Sequence, residues 1–207
     1  MYIPKSNLIS DRKEVIEFIR RFSFGTIITA ENNIPVATHL PFVVKERDND
    51  LFLVSHFARA NDHWESIESK TVLTIFTEPH SYISPSHYDK VQNVPTWNYV
   101  SVHVYGTIKI IEEYSFKIKA LEDLISTYEK NYLLQWNTLK EDYKSKMAKG
   151  IVVFEVKVDE IQGKKKLSQN KTNTERKRII STLKESEQSN EAHIAEYMQR
   201  EDDRLKS

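Results

Sequence analysis

The chain has 207 residues, of which 39% are hydrophobic and 11% aromatic, and its 30 basic and 30 acidic residues leave a formal net charge of zero. That length suits one domain with an appendage, and the charge balance gives no global attraction to nucleic acid or membrane, so any such partner needs a local patch. Because cysteine is absent, disulfides, thiolate metal sites, iron–sulfur clusters and cysteine nucleophiles are excluded.

Met1-Tyr2-Ile3-Pro4-Lys5 runs into a charged stretch without the apolar core of a signal peptide. No segment approaches the roughly 18 apolar residues of a membrane span. The expectation is a cytoplasmic protein with no membrane partner.

Ser10 is a candidate N-cap, and Val15, Ile16, Ile19 and Phe22 follow at helical spacing, which predicts a helix over 11–22. Residues 26–29 read as a strand and Glu31-Asn32-Asn33 as a hairpin turn. Residues 34–44 are the return strand, with Pro41 marking a bend or an edge. Strands follow at 51–55 and 72–76, separated by a short helix over 61–68 that Asn61 or Asp62 caps. Residues 97–111 form a long strand rich in β-branched and aromatic side chains. Leu121, Leu124, Ile125, Tyr128 and Tyr132 return to helical spacing, and 151–158 is a last strand.

Six strands broken by one or two helices predict a mainly β fold with peripheral helices, built as a small closed barrel. A composition shift after Ile161 divides the chain into a barrel domain (1–161) and a tail (162–207). Between Gly163 and Arg178 lie seven Lys or Arg against one Glu, which reads as a basic linker. Two tail helices, 174–185 and 190–203, carry thin apolar stripes and need a surface to dock on, either the barrel or a partner subunit.

The four glycines are scattered at 25, 106, 150 and 163, so no glycine loop can bring backbone N–H groups onto a phosphate. A bound phosphate must then be held by side chains. Ser55, His56, Arg59 and Asn61 follow the third strand and enter the short helix, and all can bind an anion. Thr38 and His39 set polar groups inside an otherwise apolar strand. Trp97, Asn98 and Tyr99 gather an indole, an amide and a phenol at the start of the long strand, where they can stack on a planar ligand. Lys166, Gln169 and Asn170 could reach a phosphate from the basic segment. Six of the seven histidines fall between His39 and His103, but none has metal-ligand spacing. No nucleophile and base pair up as a catalytic set, so no catalytic residue is assigned.

Taken together, Met1-Tyr2-Ile3-Pro4, Phe22-Ser23-Phe24-Gly25-Thr26, Ala37-Thr38-His39-Leu40-Pro41, Val94-Pro95-Thr96-Trp97-Asn98-Tyr99, His103-Val104-Tyr105-Gly106 and Lys166-Leu167-Ser168-Gln169-Asn170 resemble the PaiB family of FMN-binding negative transcriptional regulators. The blocks occur in family order and span about residues 1–180. The resemblance implies a six-stranded split β-barrel of the flavin-reductase type, related to the pyridoxamine-phosphate oxidase group. It further implies a homodimer with FMN at the subunit interface, and a role in repressing genes, in Bacillus those for sporulation and degradative enzymes. On that resemblance, Thr38 and His39 line the flavin, Ser55, His56, Arg59 and Asn61 grip its phosphate, and Trp97, Asn98 and Tyr99 contact the ring. Lys166, Gln169 and Asn170 close the pocket from the partner chain. An FMN-dependent oxidoreductase and a haem-binding split barrel are the competing readings. DNA contact through the basic tail has no recognition helix to support it.

Overall fold

The computed structural model describes residues 1–204. Helix α1 (Arg12–Arg21) leads into strands β1 (Phe24–Glu31), β2 (Ile34–Pro41), β3 (Val43–Arg47) and β4 (Asp50–Ala58). Strands β5 (Thr71–Phe76) and β6 (His80–Ile83) precede the long β7 (Thr96–Ile111). Helices α2 (Tyr114–Tyr128), α3 (Tyr132–Thr138) and α4 (Glu141–Lys149) then lead to β8 (Ile151–Lys166), and α5 (Asn173–Lys184) and α6 (Ser189–Arg204) follow. The chain forms two compact units. One, here the barrel unit, comprises residues 16–76 and 103–161. The other, the terminal unit, takes residues 1–15 and 77–102 and the chain from 162 on.

The barrel unit follows from one bent strand. Hydrogen bonding orders the strands β2-β1-β5-β7-β8-β4-β3. Its two outermost members, β2 and β3, are separated in sequence by Phe42 alone. The two ends of the row are therefore joined covalently at Phe42, the arrangement of a split barrel. The bend falls where Pro41 has no N–H to give to a ladder. Phe42 N instead donates to Ser23 O (2.8 Å), and Ser55 Oγ in β4 donates across the split to Pro41 O (2.7 Å). The bend also drives Phe42 into the core, edge-on to Phe76 and Phe154 at 5.5 and 6.2 Å. Gly106 is required where β7 meets β8, since a Cβ there would lie 2.3 Å from the Lys157 carbonyl oxygen. The family-type architecture, a mainly β split barrel with peripheral helices and a helical C-terminal segment, is thus what the chain adopts.

The terminal unit packs α5 against α6 and α6 against β6. Ile179, Leu183, Ile194 and Met198, part of the thin stripes read from the sequence, are all buried. Thr172 caps α5 with a reciprocal capping box to Glu175, which offsets the helix's unsatisfied first-turn donors. Leu8 bridges to Lys164, and a Cβ on Gly163 would meet Ile9 and Val15 at 3.0 and 3.1 Å.

Several local expectations change. Asp11, not Ser10, accepts from the first turn of α1, through Lys13 N at 2.9 Å. The residues between β4 and β5 make only one turn of 3₁₀ helix, Asp62–Ser66, so no helix macrodipole of consequence stands beside Asn61. Strand β6 and helices α3 and α4 have no strong periodic signature and were not predicted. Most instructive is β8. It continues through Lys164, Lys165 and Lys166, where a solvated linker was expected. Lys164 and Lys165 are only 9% and 7% exposed. They are tolerated inside because Lys165 Nζ reaches Glu14 and Glu201, each at 2.8 Å. Lys164 Nζ lies over the Tyr2 and Tyr99 rings and donates to Tyr2 O at 3.1 Å.

Candidate functional site

In the barrel unit, strand alternation sends Thr38 and His39 to opposite faces of β2. His39 is exposed and lies against Phe24, ring centroids 6.4 Å apart. Thr38 turns to a polar cluster that the sequence reading only half foresaw. Its Oγ1 is 2.8 Å from His63 Nδ1 and accepts from Asn61 Nδ2 at 3.3 Å. His63 Nε2 is 2.8 Å from Thr29 Oγ1, and Asn61 Oδ1 accepts from His63 N at 3.1 Å. A neutral imidazole carries one N–H, so one of the two threonines donates to the ring and the other accepts from it. With the proton on Nδ1, Thr38 accepts from both Asn61 and His63. Its own hydroxyl proton is then free for a ligand oxygen. His63 was missed because a single histidine after a turn has no distinguishing spacing.

The remaining members of this set have different surroundings. Ser55 is 1% exposed and committed to Pro41 O. His56 Nδ1 is buried with no hydrogen-bond partner in the protein, an orphan that a ligand donor or acceptor would satisfy. Arg59 is turned toward the end of α4. Its Nε donates to Lys149 O (2.9 Å) and its Nη2 to Ile151 O (3.3 Å), with the guanidinium 5.3 Å from the Trp64 ring. The structure therefore groups Thr38, Asn61 and His63, and holds Arg59 through backbone carbonyls.

Burial lowers the pKa of His56, His63 and His103 below the ordinary imidazole value, with Asp62 partly opposing the shift at His63. The unfolded chain then binds more protons than the folded one, so these groups stabilise the fold above the unfolded value of about 6.5 and lose that contribution as pH falls. The unfolding free energy from urea titrations should accordingly drop between about pH 7.5 and 5.5. A flat profile across that window would contradict the burial of these rings.

In the terminal unit, Trp97 and Tyr99 share one face of β7 and Asn98 points to the other. Trp97 is 52% exposed and packs on His80 and Tyr82 at centroid distances of 5.6 and 6.1 Å. Asn98 is fully buried, exchanging hydrogen bonds with Ser168 at 3.0 and 3.1 Å. It holds the turn in which Ser168 has φ 56°. Gln169 folds back on that turn, bonding Lys165 O and Leu167 N, both at 2.7 Å, while Asn170 is exposed. Lys166 Nζ donates to Thr96 Oγ1. A cavity of about 450 Å³ opens here, lined by Asn98, Lys166, Gln169 and Asn170 together with Asn93 and Lys171.

The split barrel, the cluster of hydroxyl and amide donors and the unpartnered His56 nitrogen fit a flavin mononucleotide, whose phosphate and ribityl chain must be held by side chains in a chain without a glycine loop. The class is that of split-barrel flavoproteins. Residues 1–160 match the family described as "Putative FMN-binding domain". The chain belongs to that family, and its cofactor is FMN. It is 39% identical over 210 residues to "Protease synthase and sporulation protein PAI 2" of Bacillus subtilis, covering 100% of this chain and 99% of the relative. The PaiB resemblance is thus upheld along the whole length, including the tail that the family model does not reach. Among solved structures, the flavocytochrome Anf3 of Azotobacter vinelandii superposes with a TM-score of 0.63 at 15% identity, covering 80% of this chain and 72% of that one. The FAD and heme binding protein of Mycobacterium smegmatis gives a TM-score of 0.62 at 14% identity, covering 77% and 73%. At such identities the likeness concerns the fold. Among the described residues, no helix is long and apolar enough to cross a membrane.

Proposed function

We propose that this protein is a homodimeric FMN-binding regulator that lowers expression of its target genes. The observation that carries the regulatory part is the match to PAI 2 over essentially the full length of both chains, tail included. For the cofactor, Thr38, Asn61, His56 and Arg59 would hold the phosphate and ribityl chain. The Trp97–Tyr99 face and Lys166, Gln169 and Asn170 of a second copy would complete the pocket. Ser55 and Asn98 serve this site indirectly, by fixing the β2 bend and the Ser168 turn. FMN itself supplies hydride and one-electron chemistry when bound. The protein's part is to orient it and to exclude water.

The basic segment supports a regulator that does not grip DNA through that stretch. Lys165, Arg176 and Arg178 are ion-paired within the unit, and Lys164 lies under two aromatic rings. The test is direct. The purified protein should show the yellow flavin bands and elute as a dimer, and deleting its gene should raise transcripts of the genes it represses. A Soret band instead of flavin would favour haem, and protein-accelerated oxidation of NADH or NADPH would favour an oxidoreductase. Steep salt-dependent promoter binding, abolished by neutralising Lys164, Lys165 and Lys166, would restore a direct DNA role. Thr38→Val keeps the shape of β2 while removing the hydroxyl, and should weaken FMN binding by about 0.5–1.5 kcal/mol, read by flavin fluorescence titration.

A further inference from the structure

Four side chains of the barrel unit fix one another's protons. In the β1–β2 ladder Ile27 lies opposite Thr38 and Thr29 opposite Val36, so Thr29 and Thr38 are diagonal neighbours on one face. The His63 ring stands between them, with Nε2 2.8 Å from Thr29 Oγ1 and Nδ1 2.8 Å from Thr38 Oγ1. Burial lowers its pKa against the opposing charge of Asp62, so the ring is neutral at physiological pH. Which nitrogen carries the proton follows from the groups that have no choice. The backbone N–H of His63 can only donate, so the Asn61 atom that meets it at 3.1 Å is the carbonyl Oδ1. Asn61 then turns Nδ2 to Thr38 Oγ1 at 3.3 Å, and the threonine accepts there. Thr29 is 6% exposed, and among the described residues its hydroxyl meets His63 Nε2 alone. A proton on Nε2 would leave the Thr29 hydroxyl proton buried without an acceptor, which is costly. Nε2 therefore accepts from Thr29, the ring proton sits on Nδ1, and Nδ1 donates to Thr38.

Thr38 thus accepts twice, from Asn61 and from His63, and its own proton has no partner in this cluster. We infer that Thr29 and His63 are positioning residues for the cofactor, forming a relay that makes the Thr38 hydroxyl a dedicated donor to an accepting oxygen of FMN. Neither residue belongs to the set assigned to the flavin, and both act through Thr38. The inference rests on the reading that Thr38 holds the phosphate and ribityl chain, and it adds a ligand chemistry to that reading. The group that meets Thr38 is an acceptor, a phosphate or ribityl oxygen, and not an N–H. A threonine without such neighbours donates or accepts as its surroundings ask. Here the direction is set before the ligand arrives, so less rotational freedom is lost on binding.

The experiment has two readouts. In the first, two-bond proton–nitrogen correlation spectra of FMN-loaded protein carrying isotopically labelled histidine report which ring nitrogen is protonated. His63→Gln identifies the His63 signals by their loss. Nδ1 should appear as the protonated nitrogen and Nε2 as the one with the lone pair. The second readout is FMN affinity, from fluorescence titration with apoprotein. Thr29→Val keeps the branched shape of the side chain and should raise the Kd by about two- to fivefold, through a hydrogen bond that does not touch the ligand. The same substitution in the Thr38→Val background should add nothing, because the relay has lost its end. Protonation of His63 at Nε2 would overturn the relay. So would unchanged affinity in Thr29→Val, or losses that simply add in the double variant, the pattern of a residue that only supports the fold. Unchanged affinity in Thr38→Val together with protonation at Nδ1 would instead overturn the placement of FMN at Thr38, and with it the relay's role toward the cofactor.

Discussion

Arg176→Ala should destabilise the protein by about 3–5 kcal/mol, the usual penalty for removing one partner of a buried ion pair. The guanidinium side chain is 5% exposed against Asp202 at 16%. Its Nε donates to Asp202 Oδ1 at 2.8 Å, its Nη1 to Leu167 O, and its Nη2 to Met198 O at 3.3 Å. One side chain thus ties the turn after β8 to both tail helices. Alanine leaves the largely buried Asp202 carboxylate without its cation and the Leu167 carbonyl oxygen without this donor. Urea denaturation of the pure protein measures the effect. Asp202→Asn should cost less than Arg176→Ala, since it neutralises one charge but leaves the two carbonyl contacts in place. A loss below about 1 kcal/mol for Arg176→Ala would place the pair in the class of solvent-screened surface bridges.

Arg59→Ala should weaken FMN binding by about 1–3 kcal/mol, the range for a charge-assisted hydrogen bond. The structure adds a second consequence. Arg59 holds the carbonyls of Lys149 and Ile151, where α4 passes into β8, and Trp64 Nε1 donates back to Arg59 O at 3.0 Å. Alanine would therefore also loosen the α4–β8 junction. Arg59→Lys separates the two roles. It keeps the cation but lacks the planar fork that spans two carbonyls. Flavin affinity retained in the lysine variant and lost in alanine would assign Arg59 to the phosphate. Equal affinity in the wild type and both variants would place the phosphate grip on other residues. The measurement is fluorescence quenching of FMN titrated with apoprotein, with melting temperatures recorded alongside.

Local signals in the sequence were enough to place most of the secondary structure, while the class of the protein came from the resemblance of its motif blocks to a family. Alternating apolar residues set most of the barrel strands, and Asn32 and Asn33, both at positive φ in the β1–β2 turn, could be read as a hairpin from their residue type. Pro41 announced the bend, and the helical stripes of the tail placed α5 and α6 to within a residue or two of their observed ends. The dispersed glycines required that side chains hold a phosphate. These features depend on periodicity or backbone preference over a few residues, so they survive without knowledge of the partner strand.

Other side chains took their roles from partners that lie far away in the chain. Three consecutive lysines read as solvated linker until Glu14, 151 positions away, and Glu201 are brought to Lys165. His63 is an ordinary histidine until Thr29 and Thr38 bond its two nitrogens. Asn98 is one more polar residue of a long strand until Ser168, 70 positions away, bonds it in the interior. In each case a polar side chain changes meaning because burial makes an unpaired polar group costly, and only the folded chain determines which distant group removes that cost.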